Sequence, residues 1–138
     1  MSAGVRFLVG MDLVKISDIA SSVERFGSRF LDRIFTGEEQ RYCLAAPGPS
    51  ASRLAARFAA KEATRKILCI GDEAIPWRSI EIVRASNGSC DIVLHGEASD
   101  VARGTECRGF SLSMTHESDY ASAVVVCERG RGKDDCAS

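Results

Sequence analysis

The stretch from Ser50 or Ser52 to Leu68 constrains this chain more than any other. It is rich in Ala, Leu, Arg, Lys and Glu and contains neither glycine nor proline. These residues favour helix most strongly, and Pro47-Gly48-Pro49 breaks the chain just before them. The expectation is a helix from Ser52 to Leu68, the longest element of the fold. At about 100° per residue, Glu62 falls between Phe58 and Ala55, inside an apolar stripe that also holds Leu54 and Ala59. A carboxylate there loses water unless something compensates. One compensation is a helical pair with Lys66 one turn on, worth about 0.2–0.5 kcal/mol. The other is a metal ion shared with a second carboxylate.

Shorter elements surround this helix. Val5 to Met11 is apolar and reads as a strand ending at Asp12. Ser17 can cap a helix through Ile19, Val23 and Phe26 that stops at Gly27. Thr36 and Glu39 have capping-box spacing and open a short helix towards Leu44. Ile80 to Arg84 and Asp91 to Leu94 read as strands, joined by a hairpin turn at Asn87-Gly88. Gly96 to Ala102 suits a short helix, and Phe110 to Met114 and Tyr120 to Val126 form a final strand pair. The expected class is α+β, a small antiparallel sheet packed with one long helix and shorter ones. One domain is expected over residues 1–128, followed by a loose tail over 129–138.

Composition narrows the function classes. With 138 residues, 45% hydrophobic and 27% charged, the chain can bury a core. A net charge of −1 points to neither nucleic acid nor anionic membrane. No apolar run approaches the roughly 20 residues of a membrane span, and Met1 to Val9 lacks a signal-peptide layout. A cytoplasmic enzyme or binding domain is therefore expected. Cys43, Cys69, Cys90, Cys107, Cys127 and Cys136 lack the close pairing of zinc ligands, and read mostly as small apolar fillers.

Asp12 is the natural second carboxylate, although a polar residue also simply marks a strand end. Two carboxylates together suit Mg²⁺, which prefers oxygen ligands and is commonly shared with substrate phosphates. Arg57, Lys61, Arg65 and Lys66 offer charge for such phosphates, or a solvated basic helix face. His116 lies where the last strands turn, as a surface residue or a site residue. His95 reads as structural. No glycine-rich phosphate loop, Ser-His-Asp order or zinc motif is present.

Several segments carry a family resemblance. Val9-Gly10-Met11-Asp12-Leu13-Val14 resembles the opening strand of AcpS-type phosphopantetheinyl transferases. Arg25-Phe26-Gly27 and Phe30 to Glu39 are similar to the stretch that follows. Leu54 to Ala63, LAARFAAKEA, is the most specific match, with Lys66 beyond it. Trp77 to Val83, Leu94-His95-Gly96, and Ser111 to Tyr120 with Ala121 continue it in order.

The resemblance implies that Asp12 and Glu62 hold Mg²⁺ against the diphosphate of coenzyme A. It implies that Lys66 contacts that diphosphate and that His116 lies in the cofactor site; Arg57 and Lys61, from their place on the helix, and Gly71, in the turn beyond it, are expected as further cofactor contacts. It also implies a homotrimer with active sites between subunits and an acyl carrier protein or carrier domain as partner. The reaction would move 4′-phosphopantetheine onto a carrier serine and release 3′,5′-ADP. Glu62 would take the serine proton, directly or through a water on the metal. Two places depart from the family pattern. Ile67-Leu68-Cys69-Ile70-Gly71 stands where a Gly-Thr-Gly type turn is usual, and side chains replace the glycines that permit close backbone approach. Lys15 and Asp18 reverse the usual charges on the carrier-facing helix, so a polyketide or other specialised carrier is expected. The competing reading is a catalytically weak relative that binds carrier or coenzyme A without transferring the arm.

Overall fold

The structure, a computed structural model, describes residues 4–46, 48–68 and 75–130. The chain opens with strand β1 (Val5–Lys15) and passes directly into helix α1 (Ile16–Phe26). Helices α2 (Ser28–Ile34), α3 (Gly37–Ala45) and α4 (Ser50–Ile67) follow. A 3₁₀ turn (Trp77–Ser79) leads into the hairpin β2 (Ile80–Arg84) and β3 (Cys90–Leu94). Helix α5 (Gly96–Gly104) precedes β4 (Cys107–His116) and β5 (Tyr120–Gly130). The α+β expectation holds.

Two antiparallel sheets form, one ordered β1-β5-β4 and one the β2-β3 hairpin. The β1–β5 register runs from Val5 opposite Gly130 to Lys15 opposite Tyr120. Helix α4 lies on the inner face of the larger sheet, and small residues let it come close. Ala55, Ala59, Ala60 and Ala63 are buried on the helix, and Ala121 and Ala123 on β5. Gly10 completes the contact: a Cβ there would stand 2.1 Å from the Ala63 carbonyl oxygen. Leu54, Phe35, Ile34 and Ile82 fill the core beside this seam.

Asn87-Gly88 does turn the hairpin, with Gly88 at φ 91°. The Thr36–Glu39 capping box is complete: Thr36 Oγ1 accepts from Glu39 N at 3.2 Å, and Glu39 Oε1 accepts from Thr36 N at 2.8 Å.

Four local readings are corrected. Asp12 does not end β1, because β5 pairs with the strand as far as Lys15. Ser17 does not cap α1: the strand runs into the helix without a loop, so Lys15 takes the N-cap position with no side-chain cap. The α2 helix is an addition, begun at once after Gly27 turns the chain at φ 56°. Finally, β5 carries Glu128, Arg129 and Gly130 as strand, because β1 and β4 supply partners that far.

Cys43, Cys107 and Cys127 are buried free thiols and Cys90 is half-buried, as expected of apolar fillers. Cys69, Cys136, Ile70 and Gly71 lie outside the described residues.

Candidate active site

Alternation along β1 decides where Asp12 points. Arg6, Leu8, Gly10, Asp12 and Val14 face α4, while Val5, Phe7, Val9, Met11 and Leu13 face out. Asp12 therefore meets the helix one pleat beyond Gly10, where α4 presents Glu62 and Lys66. Lys66 Nζ lies 3.2 Å from Asp12 Oδ1 and donates to the Met11 carbonyl at 2.8 Å. The helical Glu62–Lys66 pair does not form: Lys66 reaches across to the strand, and Glu62 makes no ion pair or hydrogen bond among the described residues.

Glu62 is half-buried, and its carboxyl is pushed above the ordinary glutamate range. Burial is the main cause, the nearby Asp12 charge adds to it, and Arg65 and Lys66 oppose it. Two carboxylates thus lie near enough for their charges to act on each other, and among the described residues Glu62 has neither an ion pair nor a hydrogen bond. Like charges so placed favour a bound cation, and an all-oxygen pair that leaves positions for phosphate and water fits Mg²⁺. No cluster of three or more His, Cys, Asp or Glu ligands exists among the described residues, so the fit is to a cation that substrate oxygens also hold.

Other expected site residues stand elsewhere. Lys61 is fully buried, and its Nζ lies 2.8 Å from Glu39 Oε1. It also donates to the carbonyls of Ile80 and Trp77. Burial lowers its pKa from the usual lysine range, against the pull of Glu39. Lys61 is therefore corrected from a phosphate ligand to a core residue that joins α3, α4 and β2, because all its donors are spent inside. Arg57 is also buried, a third of a turn or more around α4 from Glu62, with its guanidinium 4.9 Å from the centre of the Tyr42 ring. It lines a cavity of about 210 Å³ with Tyr42, Glu81 and Arg84, so it does not join the Asp12 cluster within one subunit.

His116 is exposed at the end of β4, opposite Ala121. With β5 between β4 and β1, its backbone is roughly 12 Å from Asp12 at ordinary strand spacings. No hydrogen bond or ion pair joins it to the cluster among the described residues. Lys15 and Asp18 are both exposed at the start of α1. Asp18 lies in the first helical turn, where a negative charge also suits the helix dipole.

Sequence reasoning missed two arrangements. Glu39 caps α3 as expected, but its second oxygen accepts from Ile82 N at 2.8 Å, a contact spanning 43 residues. His95 is not alone: its Nε2 lies 2.9 Å from Glu81 Oε1, while Thr36 donates to the other oxygen at 2.7 Å. Neither partner is near in sequence, so only the fold reveals them.

The profile of the 4′-phosphopantetheinyl transferase superfamily matches residues 8–125, from within β1 to within β5 and across the whole Asp12–Glu62–Lys66 cluster. The chain belongs to this superfamily. Among relatives, the holo-[acyl-carrier-protein] synthase of Koribacter versatilis is 42% identical over 120 residues, covering 86% of this chain and 95% of that one. The holo-[acyl-carrier-protein] synthase of Moorella thermoacetica is 43% identical over 119 residues, covering 86% and 91%. A solved ACPS–coenzyme A complex from Chronobacterium ammoniagenes superposes with a TM-score of 0.81 at 29% identity, covering 91% of this chain and 99% of that one. The phosphopantetheinyl transferase scaffold is thus established in sequence and in three dimensions. No helix among the described residues is long and apolar enough to cross a membrane.

Proposed function

We propose that this phosphopantetheinyl transferase moves 4′-phosphopantetheine from coenzyme A to a serine of an apo carrier protein, releasing 3′,5′-ADP. The observation that carries the reading is the meeting of Asp12, Glu62 and Lys66 across the β1–α4 seam. The holo-[acyl-carrier-protein] synthases among the relatives, and the coenzyme A complex with the same fold, support the choice of substrates.

The chemistry is an in-line displacement at phosphorus. The carrier serine Oγ forms a bond to the β-phosphorus of coenzyme A while the bond to the bridging oxygen of 3′,5′-ADP breaks. Such transfers need positioning and charge neutralisation more than covalent help. Asp12 and Glu62 are the residues that would hold Mg²⁺, which would supply charge neutralisation at the diphosphate when bound. Lys66 is placed to turn from Asp12 to the leaving phosphate. Glu62 has no ion pair or hydrogen bond among the described residues, and its carboxylate would take the serine proton, directly or through a water on the metal, as the new bond forms.

The assembly belongs to the same proposal. Val5, Phe7, Val9, Met11 and Leu13 form an apolar row 51% to 67% exposed on the outer sheet face, continued by Val124 and Val126 of β5. Five large apolar side chains in one row call for a cover, and self-association into a homotrimer supplies it. Arg57 and His116, remote from the cluster in one subunit, then contribute across a subunit boundary. We place the protein in the cytoplasm, since its described cysteines are free thiols, which persist in reducing compartments. The reversed charges at Lys15 and Asp18 favour a polyketide or other specialised carrier over the most acidic ones.

Mass spectrometry of apo carriers incubated with protein, coenzyme A and Mg²⁺ tests the reading. One phosphopantetheine is gained on at least one carrier, and the gain is lost with EDTA and falls at least 10²-fold in Glu62→Gln, the usual weight of a general base. Full transfer by Glu62→Gln would remove Glu62 from its role, and no transfer to any carrier would refute the activity.

A further inference from the structure

Trp77 is the single tryptophan of the chain, and it lies against α4 beside the cluster. Its ring meets Phe58 at 5.2 Å between centroids, and the Arg65 guanidinium stands 4.2 Å from its centre. Phe58 and Arg65 are two helical turns apart, so the ring spans the turn between them, which carries Lys61 and Glu62. Lys61 fixes the other end of this contact by donating to the Trp77 carbonyl at 3.2 Å.

Arg65 is thereby held in place three residues beyond Glu62 and next to Lys66. It is half-buried, and its charge acts directly on the Glu62 carboxyl. Of the cations nearby, Lys61 is spent on Glu39, and Lys66 rests on Asp12, from which it is placed to turn to phosphate. Arg65 makes no ion pair with a described carboxylate. An aromatic ring attracts a guanidinium through its face and leaves the N–H groups along the guanidinium edge able to donate. That planar fork matches two oxygens of a phosphate better than a lysine does, and a side chain already immobilised loses less entropy on binding.

We propose that Arg65, held on Trp77, is a second phosphate-binding residue of this site and grips the diphosphate of coenzyme A beside Lys66. The assignment rests on the transferase reading and goes beyond it by adding a substrate contact and the ring that presents it. It also gives the lone tryptophan a use as a reporter, because a ligand that engages Arg65 alters the surroundings of the indole.

The test is a titration of Trp77 fluorescence with coenzyme A and with dephospho-coenzyme A, which keeps the diphosphate but lacks the 3′-phosphate. Wild-type emission changes with both ligands. Arg65→Gln weakens both by about tenfold to a hundredfold, the weight of a charge-assisted hydrogen bond. Arg65→Met carries the same expectation should the Gln variant fail to fold, since its thioether packs on the ring. Thermal midpoints are measured in parallel. A lowered midpoint with both affinities unchanged would make Arg65 a structural clamp and overturn the proposal. Weakening confined to coenzyme A would move the contact to the 3′-phosphate and overturn the diphosphate assignment. Wild-type protein that binds neither ligand would instead refute the transferase reading itself.

Discussion

Gly10→Ala places the smallest side chain in the tightest seam of the molecule, and its cost follows from the geometry. The new Cβ would stand 2.1 Å from the Ala63 carbonyl oxygen and 3.0 Å from Ile67 Cγ1, where ordinary contact begins at 3.4 Å. The carbonyl belongs to the helix backbone and cannot rotate away, so β1 and α4 must part by about an ångström. Overpacking a core costs about 1–3 kcal/mol, and a rigid backbone partner puts this site at the upper end. At roughly 2 cal/mol/K of unfolding entropy per residue, a loss of about 3 kcal/mol lowers the melting midpoint by roughly 10 °C, read at one protein concentration so that any association weighs equally on both variants. The same displacement acts on the site two residues along the strand. The 3.2 Å Lys66–Asp12 contact opens, Asp12 moves away from Glu62, and a misplacement of this size costs on the order of 10²-fold in turnover. Gly37→Ala is the control: nothing lies within 4 Å of its added methyl, and alanine in a helix is neutral or stabilising. The assay pairs thermal unfolding with phosphopantetheine transfer followed by mass spectrometry. If Gly10→Ala melts and turns over like Gly37→Ala, the seam does not position Asp12 and the reasoning fails.

Other consequences can be checked separately. Lys61→Met leaves Glu39 as a buried, uncompensated charge and destabilises by about 3–5 kcal/mol in denaturant unfolding; the double variant with Glu39→Gln loses less than the sum, and strict additivity would argue against the pairing. Val9→Glu, in the middle of the exposed apolar row, sediments as a folded monomer with transfer reduced, and an intact oligomer would remove that face from the interface. Burial pushes the Cys43 thiol up to about 11 and, with Cys107 beside it, the Cys127 thiol to about 12. Thiolate is scarce in both at pH 8, so iodoacetamide leaves them unlabelled until denaturant is added, and rapid native labelling of either would contradict their packing.

What the sequence discloses and what it hides divide along the range of the interaction. The long helix, the Thr36–Glu39 box and the Asn87-Gly88 turn depend on residues within a few positions of one another, and all three are legible. The candidate cluster is partly legible for a related reason: Glu62 sits in an apolar stripe where a carboxylate is costly unless something faces it, and Asp12 interrupts an apolar strand. Lys61, the cation next to Glu62 in the chain, reads as equally available to a phosphate as Lys66. Only the fold shows that it turns inward, because Glu39 and the Ile80 and Trp77 carbonyls come from elements at least 16 residues away.

The outer row of β1 shows the same limit from the other side. The strand carries large apolar residues at odd positions and Leu8, Gly10 and Val14 among the even ones, a pattern that suits burial on both faces, yet in the single subunit the odd row is exposed. The contradiction disappears if the second face is buried by another copy of the chain. The strand then has two duties at once, presenting Asp12 to α4 on one face and a neighbour on the other. On the proposed assembly, association and catalysis would be coupled through the β1 backbone, so variants on the outer row would lower turnover even where no side chain of that row meets a substrate.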